Sequence, residues 1–144
     1  MAVRIQVTFD AADPPALAAF WGETLGYVEQ DPPPGFASWP AWAEANGIPR
    51  ETWDDFAARV DPDGVGPRLY FQRVPEPKTA KNRVHLDLDV SGGRGTPPKE
   101  ARARVAAAVE RAVASGATKV KEYDERGEQW VVLQDPEGNE FCFQ

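Results

Sequence analysis

Residues 4–10, RIQVTFD, alternate Ile5, Val7 and Phe9 with Gln6, Thr8 and Asp10. A period of two predicts a strand with one apolar and one polar face. ADPPALAAFWGETLG follows. Asp13 suits a helix N-cap, Pro14 and Pro15 its first turn, and Gly26 its stop. Between them Leu17, Phe20, Trp21 and Leu25 recur at helical spacing. YVEQ reads as a short strand. FAARV and RLYFQRV read as two more, on either side of the turn DPDG.

The second half repeats this order. Val84, Leu86, Leu88 and Val90 alternate with His85, Asp87 and Asp89, which predicts a strand. The Gly/Pro-rich SGGRGTPP leads into KEARARVAAAVERAVASG. There Val105, Ala108, Val109, Ala112 and Val113 form an apolar stripe, and Gly116 is the stop. TKVKEY, QWVVLQ and EFCFQ are strands, the last two joined by the turn DPEGN. Strand–helix–strand–strand–strand therefore occurs twice, an α+β pattern of two modules. Asp10 aligns with Asp89, which sets Gln6 opposite His85. Asp61-Pro62-Asp63-Gly64 aligns with Asp135-Pro136-Glu137-Gly138.

Residues 31–55 have no counterpart in the second half, and they hold Trp39, Trp42 and Trp53. Within them SWPAWAEANG predicts a short helix capped near Ser38, and PRETWDD a further helical turn started by Pro49. PEPKTAKN, residues 75–82, has the polar, proline-containing character of a linker. We read a single domain over 1–144, with module 1 at about 1–75 and module 2 at about 83–144.

Composition narrows the partners. A net charge of −7 leaves no basic footprint for nucleic acid, and an anionic membrane surface is excluded on the same ground. No apolar run approaches the roughly 18 residues of a membrane span. MAVRIQVTFD lacks the apolar core of a signal peptide. The one cysteine, Cys142, excludes an internal disulfide, and the expected location is the cytosol. GRG and DPDGVG lack the lysine and the spacing of phosphate loops.

The doubled βαβββ order, the LG closing the first helix, VHLDL opening the second module and the terminal DPEGNEF carry a family resemblance. Together they resemble the glyoxalase / bleomycin-resistance / extradiol dioxygenase group, the vicinal oxygen chelate superfamily. GPRLYFQRVPEPK and KNRVHLDL are similar to its glyoxalase-like domain branch. The resemblance covers almost the whole chain. It implies two modules whose mixed sheet curves into a cup, with the helices outside. It also implies up to four metal-ligand positions, on the first and last strand of each module. These fall on Gln6, on Tyr70 or Gln72, on His85 and on Cys142. That set suits no common metal, because oxygen-loving cations want carboxylates and zinc wants several His, Cys or carboxylate ligands. The expectation is no bound cofactor, with a divalent metal as the alternative.

His85 is the candidate catalytic residue, as a base or a hydrogen-bond donor; its other reading is a strand histidine bonded to a neighbour. Asp87 lies two residues on, roughly 7 Å away along a strand. It either forms a His–Asp pair or bonds backbone at the sheet end; the second is the preferred reading, because a dyad needs a geometry that spacing alone cannot set. Cys142 has opposite parity to Phe141 and Phe143 and reads as a small buried filler that faces the cup. The insertion tryptophans form either a satellite core or a lid with π-faces for a flat ligand. The expected ligand-binding set is Phe36, Trp39, Trp42, Tyr70, Gln6, Gln72, His85 and Cys142. Such residues suit a metal-free protein that holds an apolar or aromatic small molecule. The alternatives are a lyase or isomerase acting next to a carbonyl, or a module that pairs with a second copy through an open sheet edge.

Overall fold

Asp13 opens the first helix as its spacing predicts. The computed structural model describes all residues, Met1–Gln144. In it Asp13 Oδ1 accepts the Ala16 N–H at 3.2 Å, and helix α1 runs Pro14–Leu25. Gly26 ends it with φ 71°, where its N–H donates to the Gly22 carbonyl and a side chain would be strained. The chain divides into two compact units, Met1–Pro77 and Lys78–Gln144.

The first unit contains β1 (Gln6–Ala11), α1, β2 (Val28–Glu29), α2 (Trp39–Ala45), a 3-10 helix (Arg50–Asp55), β3 (Phe56–Val60) and β4 (Arg68–Arg73). Its sheet has the order β1-β4-β3-β2, with β1 parallel to β4 and the other pairs antiparallel. Leu17, Phe20 and Trp21 of α1 are buried with Leu69 and Phe71 of β4. Phe9 sits 5.0 Å from both Trp21 and Phe71, stacked on the latter. The alternation of β4 thus places Leu69 and Phe71 in the core, and Arg68, Tyr70 and Gln72 on the other face. The short helix in the insertion starts where predicted, with Ser38 Oγ accepting the Ala41 N–H at 3.2 Å.

The second unit contains β5 (Leu86–Leu88), α3 (Pro98–Ala114), β6 (Thr118–Glu125), β7 (Glu128–Gln134) and β8 (Glu140–Phe143). The sheet order is β5-β8-β7-β6, with β5 parallel to β8. Each unit is therefore a βαβββ module with a four-stranded mixed sheet, and the fold class is α+β as expected. Val105, Ala108, Val109 and Ala112 of α3 are buried, as are Val131, Leu133, Phe141 and Phe143 of the sheet. Val113 departs from the predicted stripe and is exposed. It lies eight residues from Val105, about 80° round the helix by the 3.6-residue repeat. No helix is long and apolar enough to cross a membrane.

Two strands are shorter than the alternation predicts. The residue-84–90 pattern yields only Leu86–Leu88, and Val84 is 81% exposed. The parallel ladder pairs Leu86 with Phe141 and Leu88 with Phe143, so β5 extends no further than its ladder with β8. Similarly β1 begins at Gln6, and Ile5 lies outside it and exposed.

The two aspartate turns are built alike. Asp61 carboxylate oxygens accept the backbone N–H groups of Asp63, Val65 and Gly66 at 2.7–3.0 Å. Asp135 Oδ1 accepts those of Glu137 and Asn139, both at 2.9 Å, and Oδ2 accepts the Asn139 side-chain amide at 2.8 Å. These bonds hold the Asp61 carboxyl below its usual range, with the Gly66 N–H the largest cause.

Candidate functional site

Strand register decides which residues of the two modules correspond. Leu133 pairs with Phe141 and Val132 with Cys142, while Arg59 pairs with Leu69 and Ala58 with Tyr70. Counted back from the turn aspartates, Leu133 matches Arg59, so Cys142 matches Tyr70 and not Gln72. The first strands agree: Val7 pairs with Leu69 and Leu86 with Phe141, which sets Gln6 opposite His85. The sequence left Tyr70 and Gln72 open because the lengthened turn of module 1 hides the register.

In module 2, three chemically distinct side chains meet where β5 runs beside β8. His85 Nε2 lies 3.2 Å from an Asp87 carboxylate oxygen. Asp87 is the register partner of Cys142, and the donor atoms of all three residues lie within 4.8 Å of one another. Asp87 thus meets the imidazole, which corrects the sheet-end backbone reading. Two-residue spacing sets both side chains on one face, and the short strand lets His85 turn toward its neighbour. Both are exposed, and Cys142 is buried. Burial foremost, then the Asp87 carboxylate, pushes the Cys142 thiol up to about 11. The carboxylate both repels a thiolate and accepts the S–H bond. At neutral pH the thiol stays protonated, so Cys142 is no activated nucleophile. His, carboxylate and thiol are together a donor set that zinc accepts.

The linker is bound to the same module through Glu140. Its carboxylate accepts the Asn82 N–H at 2.9 Å and pairs with Lys78 at 3.2 Å. Burial alone would raise its pKa, but the Asn82 N–H, its own N–H and Lys78 prevail and hold it at about 2.

Module 1 carries a cavity of about 470 Å³. Trp39, Trp42 and Trp53 of the insertion line it, together with Phe56, Tyr70 and Arg68 of the sheet. The walls are fixed. Trp39 Nε1 donates to the Gln30 carbonyl at 2.6 Å, and Trp53 Nε1 to the Ile48 carbonyl at 3.1 Å. Trp39 and Trp42 meet edge to face at 5.5 Å, Phe56 and Tyr70 stack at 6.0 Å, and Arg50 covers Trp53 at 5.2 Å. Of the expected ligand-binding residues, Trp39, Trp42 and Tyr70 line this cavity, while Phe36, Gln6 and Gln72 do not. Gln6 bonds Arg68 and Thr8, and Gln72 bonds Asp10. His85 and Cys142 belong to the module 2 cluster. Phe56 and Arg68 are lining residues that sequence reasoning leaves out, and Trp53 enters it only as one tryptophan of the candidate lid. Arg68 and Tyr70 share parity in RLYFQR, and that signal was available.

With two βαβββ modules, a His/Asp/Cys cluster and an aromatic cavity described, comparison with known proteins places the chain. It belongs to the glyoxalase-like domain family, which matches residues 6–144. That family lies within the vicinal oxygen chelate superfamily. No curated protein sequence matches the chain. Among solved structures, a glyoxalase/bleomycin resistance protein/dioxygenase family enzyme from Burkholderia phytofirmans is 20% identical, with TM-score 0.62, covering 96% of this chain and 94% of its own. The bleomycin-binding protein of Streptomyces verticillus, complexed with copper(II)-bleomycin, is 22% identical, with TM-score 0.51 and coverage of 100% and 96%. A fosfomycin resistance protein of Listeria monocytogenes, complexed with Mn(II) and a dihydroxypropylphosphonic acid, is 13% identical, with TM-score 0.63 and coverage of 100% and 92%. At these identities the likeness is one of fold.

Proposed function

We propose that this protein binds a small molecule with a flat apolar or aromatic body in the module 1 cavity, without a metal. The observation that carries the reading is the set of five aromatic rings around about 470 Å³, a volume typical of ligand sites. Two indole N–H groups are tied to backbone, so these rings are ordered before a ligand arrives, and less entropy is lost on binding. Tryptophan fluorescence titrated with a panel of aromatic compounds tests this. At least one compound is expected to bind in the micromolar range. Trp42→Ala is expected to weaken it about fivefold to tenfold, the scale of one lost aromatic contact. A panel with nothing tighter than about 1 mM overturns the reading.

The second reading is a metal-dependent lyase or isomerase, and the His85/Asp87/Cys142 cluster favours it. These donors fit zinc, which when bound would polarise a carbonyl. The chain's own part would be to supply the imidazole and carboxylate and to give up the Cys142 proton. With the thiol held at about 11, that step makes metal uptake rise with pH. Elemental analysis of protein purified without chelator separates the readings. The metal-free reading expects substoichiometric metal. Zinc at one per chain, absent from His85→Ala, establishes the second.

A further inference from the structure

Arg68 is held on the cavity wall in an unusual way. Its Nε donates to Gln30 Oε1 and its Nη1 to Gln6 Oε1, both at 2.7 Å, and its guanidinium lies 5.0 Å above the Tyr70 ring. All three partners are neutral. No carboxylate lies within ion-pair distance of it, nor of Arg59, the other cation on the cavity wall. The two glutamines therefore fix the orientation of the fork without cancelling its charge. The Nη2 end has no hydrogen-bond partner in the protein.

The other charged residues at the cavity are arranged differently. Glu29 and Arg59 are cross-strand partners in the register without an ion pair between them, and Arg59 Nη1 turns back to the Ala58 carbonyl at 3.0 Å. Asp54 lies beside Arg73, which donates to its carbonyl. A half-buried, pre-oriented cation held by neutral partners on an aromatic wall is a ready site for an anion.

We propose that the cavity selects aromatic carboxylates, with the acid group on the Arg68 fork and the ring among Trp39, Trp42 and Phe56. Arginine suits this role because its guanidinium stays charged and its free Nη2 can donate a charge-assisted hydrogen bond to a carboxylate. The inference rests on the ligand-binding reading above and narrows its ligand class.

The test is calorimetric titration of the full chain with 2-naphthoate and with 2-naphthamide, its uncharged counterpart. The wild-type protein is expected to bind the acid about tenfold more tightly than the amide, on the scale of one charge-assisted hydrogen bond. In Arg68→Gln the ratio of acid to amide affinity falls to about one. Equal affinities in the wild type overturn the carboxylate preference and leave the cavity reading standing. A preference that survives Arg68→Gln also overturns the proposal, because the anion then rests elsewhere. Failure of both compounds to bind overturns the proposal, and the aromatic panel above decides the cavity reading separately. Should Arg68→Gln not fold, the wild-type ratio of acid to amide decides alone.

Discussion

Phe71→Ala is expected to lower the unfolding free energy by about 3–5 kcal/mol, and Tyr70→Ala, one residue earlier, by only about 1–2 kcal/mol. The two rings belong to one strand but to opposite faces. Phe71 is fully buried, stacked on Phe9 and packed beneath helix α1. Its removal leaves a cavity that the large rigid neighbours Trp21 and Phe9 cannot fill. Tyr70 is half-buried at the module 1 cavity, beneath Arg68 and beside Phe56. Its removal opens a space that solvent can enter. The ligand effect is expected to be inverted: Tyr70→Ala weakens binding in the cavity although its fold persists. Denaturant unfolding of both variants, with binding measured alongside, checks the assignment. A larger stability loss for Tyr70→Ala would mean that the faces of β4 are exchanged.

Glu140→Gln is expected to remove about 1–2 kcal/mol at neutral pH and to flatten the acid limb of the stability curve. The folded pKa of about 2 lies below the ordinary glutamate value of 4.5. A carboxyl depressed on folding stabilises the protein above its unfolded pKa. That contribution is lost as pH falls through the folded one. The window is therefore pH 4.5 down to about 2. A full shift of this size corresponds to about 3 kcal/mol. Solvent screening of the partly wet Lys78 contact reduces the expected effect to the smaller figure. Glutamine keeps the shape and can still accept the Asn82 N–H, so the variant isolates the charge. Thermal unfolding across pH 2–7 should show wild type and variant converging toward the acid end. Parallel curves over the whole range would mean that the charge contributes nothing.

Much of the fold was legible because local chemistry and periodicity agreed. Asp13, the proline pair and Gly26 mark the two ends of α1: Asp13 and Gly26 make the backbone contacts their residue types predict, and the prolines fill the first turn. Asp61 and Asp135 close equivalent turns because a carboxylate two residues before a free N–H is a ready acceptor in either module. Alternation failed where a strand needs a partner. Ile5 and Val84 continue an apolar pattern beyond the ladders, and both are exposed. A period of two shows that a segment can be a strand, but its length depends on the neighbour that bonds it.

The site was legible in part. Trp39, Trp42 and Tyr70 were named from aromatic content and parity, and they share one cavity. Phe36 was grouped with them by proximity in the chain, which fixes no direction for a loop residue. Arg68 was passed over because charge on a strand reads as solvated surface. Its role rests on Gln30 and Gln6, separated from it by 38 and 62 residues. The cluster of His85, Asp87 and Cys142 shows the same limit. Spacing put His85 and Asp87 on one face, but Cys142 reaches them only through the parallel pairing of β5 with β8.

The sequence by itself determined the two βαβββ modules, the ends of α1, the aspartate turns and the Trp-rich insertion. All of these depend on forces that act within a few residues. Tertiary structure alone decided that Tyr70 and not Gln72 corresponds to Cys142, that Asp87 joins His85 to the thiol, and that Arg68 stands without an anion. Those facts depend on strand register and on charges brought together across long loops. No local periodicity carries them, because register is set by which ladder closes with every core residue inside.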